Sequence, residues 1–297
     1  MIIDYDPLHP PAGTTRTIGA YTVEFIPLAH FRMDTGGLFG IIPKKLVDRV
    51  YPHSDEQNRL PLVSYAMLVR GPGIVLVADS GIGDKVDEKT LANYAVQQPH
   101  RVLPRALAAR GIAPEDVTHF VYTHLHFDHA GGATEIGEDG KLRPVFPRAR
   151  YLVQSSQIAW ARRPSEKDRA TYDPANWEPA QDAGLIAELD GDHTIAPGLE
   201  LCVVHGHTTG LQMVLVHSES EGLLHSVDLF PTTAHIAPHY VPAYDNHPVV
   251  SVEEKKDWLE QIHARGWDIF FGHDPFTPPV KVHKNEKGQW AFTPPNL

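Results

Sequence analysis

The sequence predicts a mixed α/β fold in one domain, a mixed β-sheet arrangement with helices outside it. Two observations carry that expectation. β-prone runs recur along the whole chain, some at hairpin spacing and others separated by crossover helices. No composition break, linker or short repeat divides the 297 residues, which suffice for a substantial core.

The elements follow in order. Tyr21–Leu28 (YTVEFIPL), Ser64–Arg70 (SYAMLVR) and Gly73–Asp79 (GIVLVAD) read as strands, the last two joined by a Gly71-Pro72-Gly73 turn. Arg101–Arg110 reads as a helix closed by Gly111, a usual choice after a last helical turn. Val117–Thr123 is a short β-prone run that ends where a group of histidines begins. Arg150–Gln154 predicts a strand and Ser155–Arg162 a short helix. The polar, Pro- and Asp-rich stretch from Arg163 to Asp192 predicts a surface excursion with some helix. Leu199–His205, Leu211–His217 and Gly222–Asp228 form a β-rich block with short turns. Ser251–Arg265 is an amphipathic helix with Val252, Trp258, Leu259 and Ile262 on one face, and Trp267–Phe271 is a final core strand.

Composition narrows the class. The net charge of −11 disfavours nucleic acid, because phosphate binding needs clustered Lys and Arg. A small neutral or cationic molecule fits better. The single cysteine, Cys202, excludes an intramolecular disulfide and suits a reducing compartment. The N-terminus carries acids and prolines where a signal peptide needs a basic start and an apolar run, and no stretch has the length of a membrane span. The expectation is a cytoplasmic protein with no membrane partner. Nineteen histidines without cysteine partners point to imidazole metal ligands rather than a thiolate zinc structure.

The densest constellation is His124-Leu125-His126-Phe127-Asp128-His129-Ala130-Gly131-Gly132, directly after a predicted buried strand. Extended backbone would place His124 and His126 on one side, since side chains alternate with period 2. Asp128 and His129 then need a turn, which Gly131 and Gly132 would permit. Imidazole with carboxylate is the donor mix of a Zn²⁺ or Fe²⁺ site left open for water.

HLHFDHAGG resembles the HxHxDH signature of the metallo-β-lactamase superfamily, and further matches follow in order. His205-Gly206-His207-Thr208-Thr209-Gly210 is similar to its Gly-His-Thr segment, and Ser226-Val227-Asp228 to its bridging aspartate. Phe271-Gly272-His273-Asp274 resembles the last histidine, and Val77-Ala78-Asp79-Ser80-Gly81 the early Asp-Ser/Thr-Gly segment. The resemblance covers about residues 20 to 280 and leaves an N-terminal arm of about residues 1–20. It implies a four-layer αβ/βα sandwich, two facing mixed sheets with helices outside. It also implies two divalent metal ions, zinc first, with iron, manganese or cobalt compatible with the same donors. His124, His126 and His207 would hold one ion and Asp128, His129 and His273 the other, with Asp228 bridging and Asp79 orienting a ligand imidazole. Asp128 would in addition accept or relay a proton.

Departures within the family matter as much. The bridging residue is Asp228, not the cysteine of the β-lactam-hydrolysing group, which argues against β-lactamase activity. His126 stands where flavodiiron-type relatives place glutamate, which argues against a redox role. His30 to Gly40 resembles the N-terminal segment of lactonase-like and methyl-parathion-hydrolase-like members. On that basis Phe31, Met33, Leu38 and Phe39 are expected to wall an apolar pocket, with His235, His239 and Tyr244 within reach of it. Pro231 stands where acyl-homoserine lactonases carry tyrosine, which argues against that particular substrate.

The expected function is hydrolysis of an ester-type bond, a lactone first, by water activated between two metals. Phosphotriester hydrolysis in the same site is the alternative. An oxygen-using iron enzyme and a non-catalytic metal-binding protein are alternatives from other classes. Exposed strand edges and the N-terminal arm allow a homodimer.

Overall fold

The structure is a computed structural model that describes residues 15–293. Most of the expected N-terminal arm, residues 1–14, lies outside the described residues. The remainder of the arm contributes β1 (Arg16–Ile18), which pairs antiparallel with β2 (Tyr21–Asp34). The first sheet continues through β3 (Arg59–Gly71), β4 (Ile74–Ala78) and β5 (His119–Val121). After a small hairpin of β6 (Thr134–Ile136) and β7 (Leu142–Pro144), β8 (Arg150–Gln154) and β9 (Ile186–Leu189) complete it. Strands β1 to β4 are antiparallel, whereas β4, β5, β8 and β9 run parallel.

The second sheet contains β10 (His193–Ala196), β11 (Leu199–Val204), β12 (Leu211–His217), β13 (Gly222–His225), β14 (Asp268–Phe270), β15 (Val280–Lys284) and β16 (Trp290–Phe292), in that order. Only the β13–β14 pair is parallel. The helices are α1 (Thr35–Phe39), α2 (Lys44–Val50), α3 (Glu88–Asn93), α4 (Val102–Ala108), α5 (Phe127–Ala130), α6 (Ser155–Arg162), α7 (Glu178–Asp182) and α8 (Pro248–Arg265). None is long and apolar enough to cross a membrane.

The core explains the layering. Val23, Met67, Val69, Leu76, Ala78, Val121 and Leu152 of the first sheet meet Leu199, Leu201, Val214, Val216, Leu223 and Phe270 of the second. On the outer face of the first sheet, Val77, Phe120, Tyr151 and Val153 pack against Leu103, Ala106 and Leu107 of α4 and Ile158 of α6. On the outer face of the second, Met213, Leu215 and Ile269 pack against Leu259 and Ile262 of α8. Alternation along β4, with Leu76 and Ala78 inward and Val77 outward, is what period-2 strands buried on both faces require. The result is the αβ/βα sandwich.

Strand lengths differ from the sequence reading for identifiable reasons. Strands β2 and β3 run well beyond the predicted limits, β2 on to Asp34 and β3 back to Arg59 over Pro61. Pro27 is tolerated because the β2–β3 register shifts between Pro27 and Ala29. Pro61 is tolerated because β4 pairs with β3 only from Met67 onward, so this end of β3 has no ladder partner on that side. Helix α8 begins at Pro248, not Ser251, because proline suits the first helical position.

Lys255 of α8 is 1% exposed and donates to Tyr240 O at 2.7 Å, fastening the 230–240 loop to the helix. Burial pulls its pKa down to about 7, opposed by the Asp245 carboxylate. The unfolded chain therefore binds more protons than the folded one between about pH 7 and 10.5, so stability from this group rises with pH across that window. Chemical unfolding at pH 7 and at pH 10 should show this rise, and the Lys255→Met variant should lack it.

Candidate metal centre

The centre forms where the ends of β4, β5, β12, β13 and β14 converge. Strand β5 ends at Val121, and Thr123 is fixed at once: its N–H donates to Asp79 Oδ1 at 3.0 Å and its hydroxyl to Asp79 Oδ2 at 2.8 Å. Gln212 ties the two sheets beneath the site, its N–H donating to Thr123 O at 2.8 Å and its amide to Tyr122 O at 2.8 Å. His126 then precedes α5, whose single turn carries Asp128 and His129 back toward His124.

The glycines work differently from the sequence expectation. Gly131 has ordinary helical φ of −59°, so it supplies no special turn. It permits contact: a Cβ there would lie 1.9 Å from Ile82 O, and one at Gly132 would lie 2.3 Å from Ser80 O. Gly131→Ala should lower stability by about 2–3 kcal/mol, as overpacking does, with the loss visible in denaturant midpoints. The turn and the preceding loop are held at backbone contact, and the metal-facing side chains inherit that rigidity.

The structure brings all seven predicted ligands together, each buried or nearly so. His124 Nε2 and His207 Nε2 each lie 3.1 Å from His126 Nδ1. His129 Nε2 lies 3.2 Å from His273 Nε2, with Asp128 Oδ2 at 3.8 and 3.7 Å from them. Asp228 stands between the two groups, Oδ2 at 3.3 Å from His207 Nε2 and Oδ1 at 3.2 and 2.9 Å from His129 and His273 Nε2. Val227 reaches this point with φ of 48°, a left-handed conformation that costs a β-branched residue about 1–3 kcal/mol. The backbone is bent to aim Asp228.

The rings are fixed by their outer nitrogens. His129 Nδ1 donates to Asp79 Oδ2 at 2.8 Å, His207 Nδ1 to Asp245 Oδ1 at 2.9 Å, and His273 Nδ1 to Val63 O at 2.9 Å. His124 Nδ1 faces Thr123 Oγ1 at 3.2 Å, whose hydrogen is committed to Asp79. These partners assign the N–H to Nδ1 and leave the Nε2 lone pairs pointing inward. His126 instead turns Nδ1 inward, and its Nε2 is buried without a hydrogen-bond partner; ring nitrogens 3.1–3.2 Å apart need a cation or a proton between them. Tetrahedral donors at 2.0–2.1 Å from zinc are themselves about 3.3–3.4 Å apart, close to what is seen. Asp228 Oδ1, buried without a donor in hydrogen-bond geometry, adds a second sign of fit. The donor set suits divalent ions.

Electrostatics agree. Burial pushes His124 and His126 well below the ordinary imidazole range, so both are neutral and keep a lone pair for a metal. Burial also acts to lower His129, but the Asp228, Asp128 and Asp79 carboxylates outweigh it and hold that imidazole well above its usual value. The acidic half of the centre thus demands positive charge. Asp79 is itself pushed up by burial, against the pull of His129 and Thr123.

A cavity of about 360 Å³ opens onto the centre. Phe31, Met33 and Tyr244 line it as expected, together with Leu62, Tyr94 and Phe127. Leu38, Phe39 and His235 do not. Leu38 and Phe39 are fully buried in a core cluster with Val47, Tyr51 and Leu60. His235 is buried, stacks on Phe39 at 4.6 Å between ring centroids, and bonds Thr232 Oγ1 and Leu38 O. Burial lowers its pKa to about 3, so it is a neutral packing residue. An apolar stretch crossing α1 turns one side to the core and the other to the cavity, and sequence alone did not separate them. Cys202 is 7% exposed with its thiol pushed up to about 12 by burial, so it stays protonated at neutral pH.

Asp245 went unassigned in the sequence because its partner is distant in the chain. It receives His207 Nδ1 on Oδ1 and Ser251 Oγ on Oδ2 at 2.6 Å. Only a spatial neighbour reveals that role. Asp245→Ala should weaken metal binding by about 10–100-fold, as loss of a ligand's outer partner does, measured by competition with a chelator.

The chain belongs to the metallo-β-lactamase superfamily, whose sequence pattern matches residues 59–273. It is similar to an N-acyl homoserine lactonase of Bacillus thuringiensis, 26% identical over 166 residues, covering 55% of this chain and 58% of the lactonase. That match spans little more than half of the relative's length. Among solved structures it resembles a probable metal-dependent hydrolase from Staphylococcus aureus, with TM-score 0.84, 27% identity, and coverage of 95% of this chain and 99% of the other. The fold is also that of AidC, a dizinc quorum-quenching lactonase solved with a hydrolysed product, at TM-score 0.76 and 17% identity over 95% of this chain and 97% of that one.

Proposed function

We propose that the chain is a dinuclear metal-dependent hydrolase that cleaves an ester-type bond, a lactone first among candidates. The observation that carries this reading is the pair of three-residue ligand groups meeting at Asp228 on the floor of a cavity large enough for a small molecule. The lactonase relative supports the choice of ester chemistry. Two bound divalent ions would supply water activated at neutral pH and an electrophile for the carbonyl oxygen.

The chain's own groups do the rest. His124, His126 and His207 hold one position and Asp128, His129 and His273 the other. Asp79, Asp245 and Val63 O keep the imidazoles in one tautomer, so no ring must turn during turnover. Asp128 bonds no other described residue in the site and opens on the cavity, so a carboxylate oxygen is free to take a proton from the attacking water. It then returns that proton to the departing alkoxide. The acyl–oxygen bond breaks, and one water yields a carboxylic acid and an alcohol, which for a lactone are the two ends of one hydroxy acid.

Tyr244 stands edge-on to His207 at 5.4 Å between centroids and lines the cavity. Burial raises its pKa well above the usual value, so the phenol keeps its hydrogen at neutral pH. That hydrogen is available to a substrate oxygen. In this reading Tyr244 offers from a later loop the phenol that Pro231 does not.

The test is an assay of zinc-, iron- and manganese-loaded protein against a panel of lactones and aryl esters, with paraoxon as a phosphotriester. Turnover of lactones or esters is expected. Turnover of paraoxon alone would reverse the substrate class, and no turnover of any would remove the hydrolase reading.

A further inference from the structure

Three cationic side chains, Arg32, Arg59 and Lys167, line the cavity of a chain whose net charge is −11. Their settings differ. Arg59 is committed to Asp55, with Nε and Nη2 each 3.1 Å from Oδ2, while the backbone N–H groups of Arg59 and Gln57 occupy Oδ1 at 2.8 and 3.0 Å. Lys167 donates to Asp245 O at the rim. Arg32 is held only by its backbone, whose N–H donates to Tyr94 O at 2.7 Å. Its guanidinium makes no hydrogen bond to any described residue, and its sole ionic neighbour is the already saturated Asp55 Oδ2 at 3.6 Å.

Of the acidic groups that line the cavity, Asp128 and Asp228 belong to the metal centre, and the other two accept hydrogen bonds from groups other than Arg32. Asp168 accepts from Trp160 Nε1 at 2.8 Å, Asn246 Nδ2 at 2.6 Å and Ser165 Oγ at 3.0 Å, and Asp34 Oδ1 accepts from Gly36 N at 2.7 Å. Arg32 is therefore a guanidinium with its side chain only 30% exposed and its planar donor fork unspent. Phe31, the preceding residue on β2, packs edge-on to His273 at 5.6 Å, and Arg32 lines the same cavity as His273. A planar anion is the partner such a fork recognises.

We propose that the cavity selects esters or lactones bearing a carboxylate, which Arg32 receives through paired N–H donors while the ester carbonyl lies over the centre. The inference rests on the ester-hydrolase reading and adds the substrate's charge to it. A charge-assisted, bidentate contact is worth about 1.5–3 kcal/mol, or roughly 10- to 150-fold in kcat/KM.

The experiment compares 4-nitrophenyl acetate with mono-4-nitrophenyl glutarate on metal-loaded protein, in the native chain and in Arg32→Met and Arg32→Lys. Calorimetric titration with glutarate and with acetate runs alongside. The native chain should favour the glutarate ester by about tenfold or more in kcat/KM. Arg32→Met should bring that ratio near one, with Arg32→Lys between, since it keeps the charge and loses the fork. Equal rates on both esters in the native chain, or a ratio untouched in a folded Arg32→Met protein, would overturn the proposal. If Arg32→Met does not fold, Arg32→Lys carries the comparison. If neither ester is cleaved, the lactone panel still tests the hydrolase reading and the titration alone decides on Arg32. Glutarate binding weakened about tenfold by the substitution, with acetate unaffected, supports the receptor, and unchanged glutarate binding refutes it.

Discussion

Asp228→Ala is expected to empty the centre of both ions and to abolish turnover. Two divalent ions about 4 Å apart, the spacing usual in two-metal sites, repel by about 16 kcal/mol at an effective dielectric of 20. The Asp228 carboxylate lies within 3.3 Å of ligand nitrogens from both groups, so its charge offsets that repulsion on both sides at once. Without it, His129 and His273 also lose the carboxylate that faces their Nε2 atoms. Rates should fall by about 10⁴-fold or more, because water activation from a pKa of 15.7 to about 7 is then lost. Elemental analysis beside a rate assay checks both halves. An alanine variant that keeps two ions and near-native turnover would remove Asp228 from the bridge.

His126→Ala is the second large effect, and it should be asymmetric. Its Nδ1 lies 3.1 Å from both His124 and His207 Nε2, so it completes one group and touches none of the other's donors at that range. One ion should be lost while the other, held by Asp128, His129 and His273, persists. Turnover should drop at least about a thousandfold, beyond the 10–100-fold cost of losing an outer partner. The ratio of metal to protein should fall from near two to near one, and loss of both ions together would show that the groups are not independent.

How much of this was readable in the chain depends on what fixes each feature. The HxHxDH run was legible because its donors are close in sequence and follow a buried strand. The later ligands His207, Asp228 and His273 were legible through the resemblance and through their places at strand ends. Asp245 was not, because only packing of the loop before α8 against the His207 segment brings the two together. Leu38, Phe39 and His235 were assigned to the pocket and lie in the core, since apolar character fixes burial but not which side is buried. The sandwich itself was implied by the resemblance, while the strand and helix pass showed only that sheets and helices mix. The short strands β10, β15 and β16 went unread, and β2 and β3 extend beyond the limits read from the sequence, β3 across Pro61 at an end that does not pair with β4.

The convergence of inward-facing imidazole nitrogens and carboxylates is what two bound cations would hold together. Anomalous X-ray diffraction from crystals of the purified, metal-replete chain measures that directly. Two peaks per chain are predicted, one among His124, His126 and His207 and one among Asp128, His129 and His273, with Asp228 reaching both. A single peak, or none, with the same side-chain positions would contradict the account.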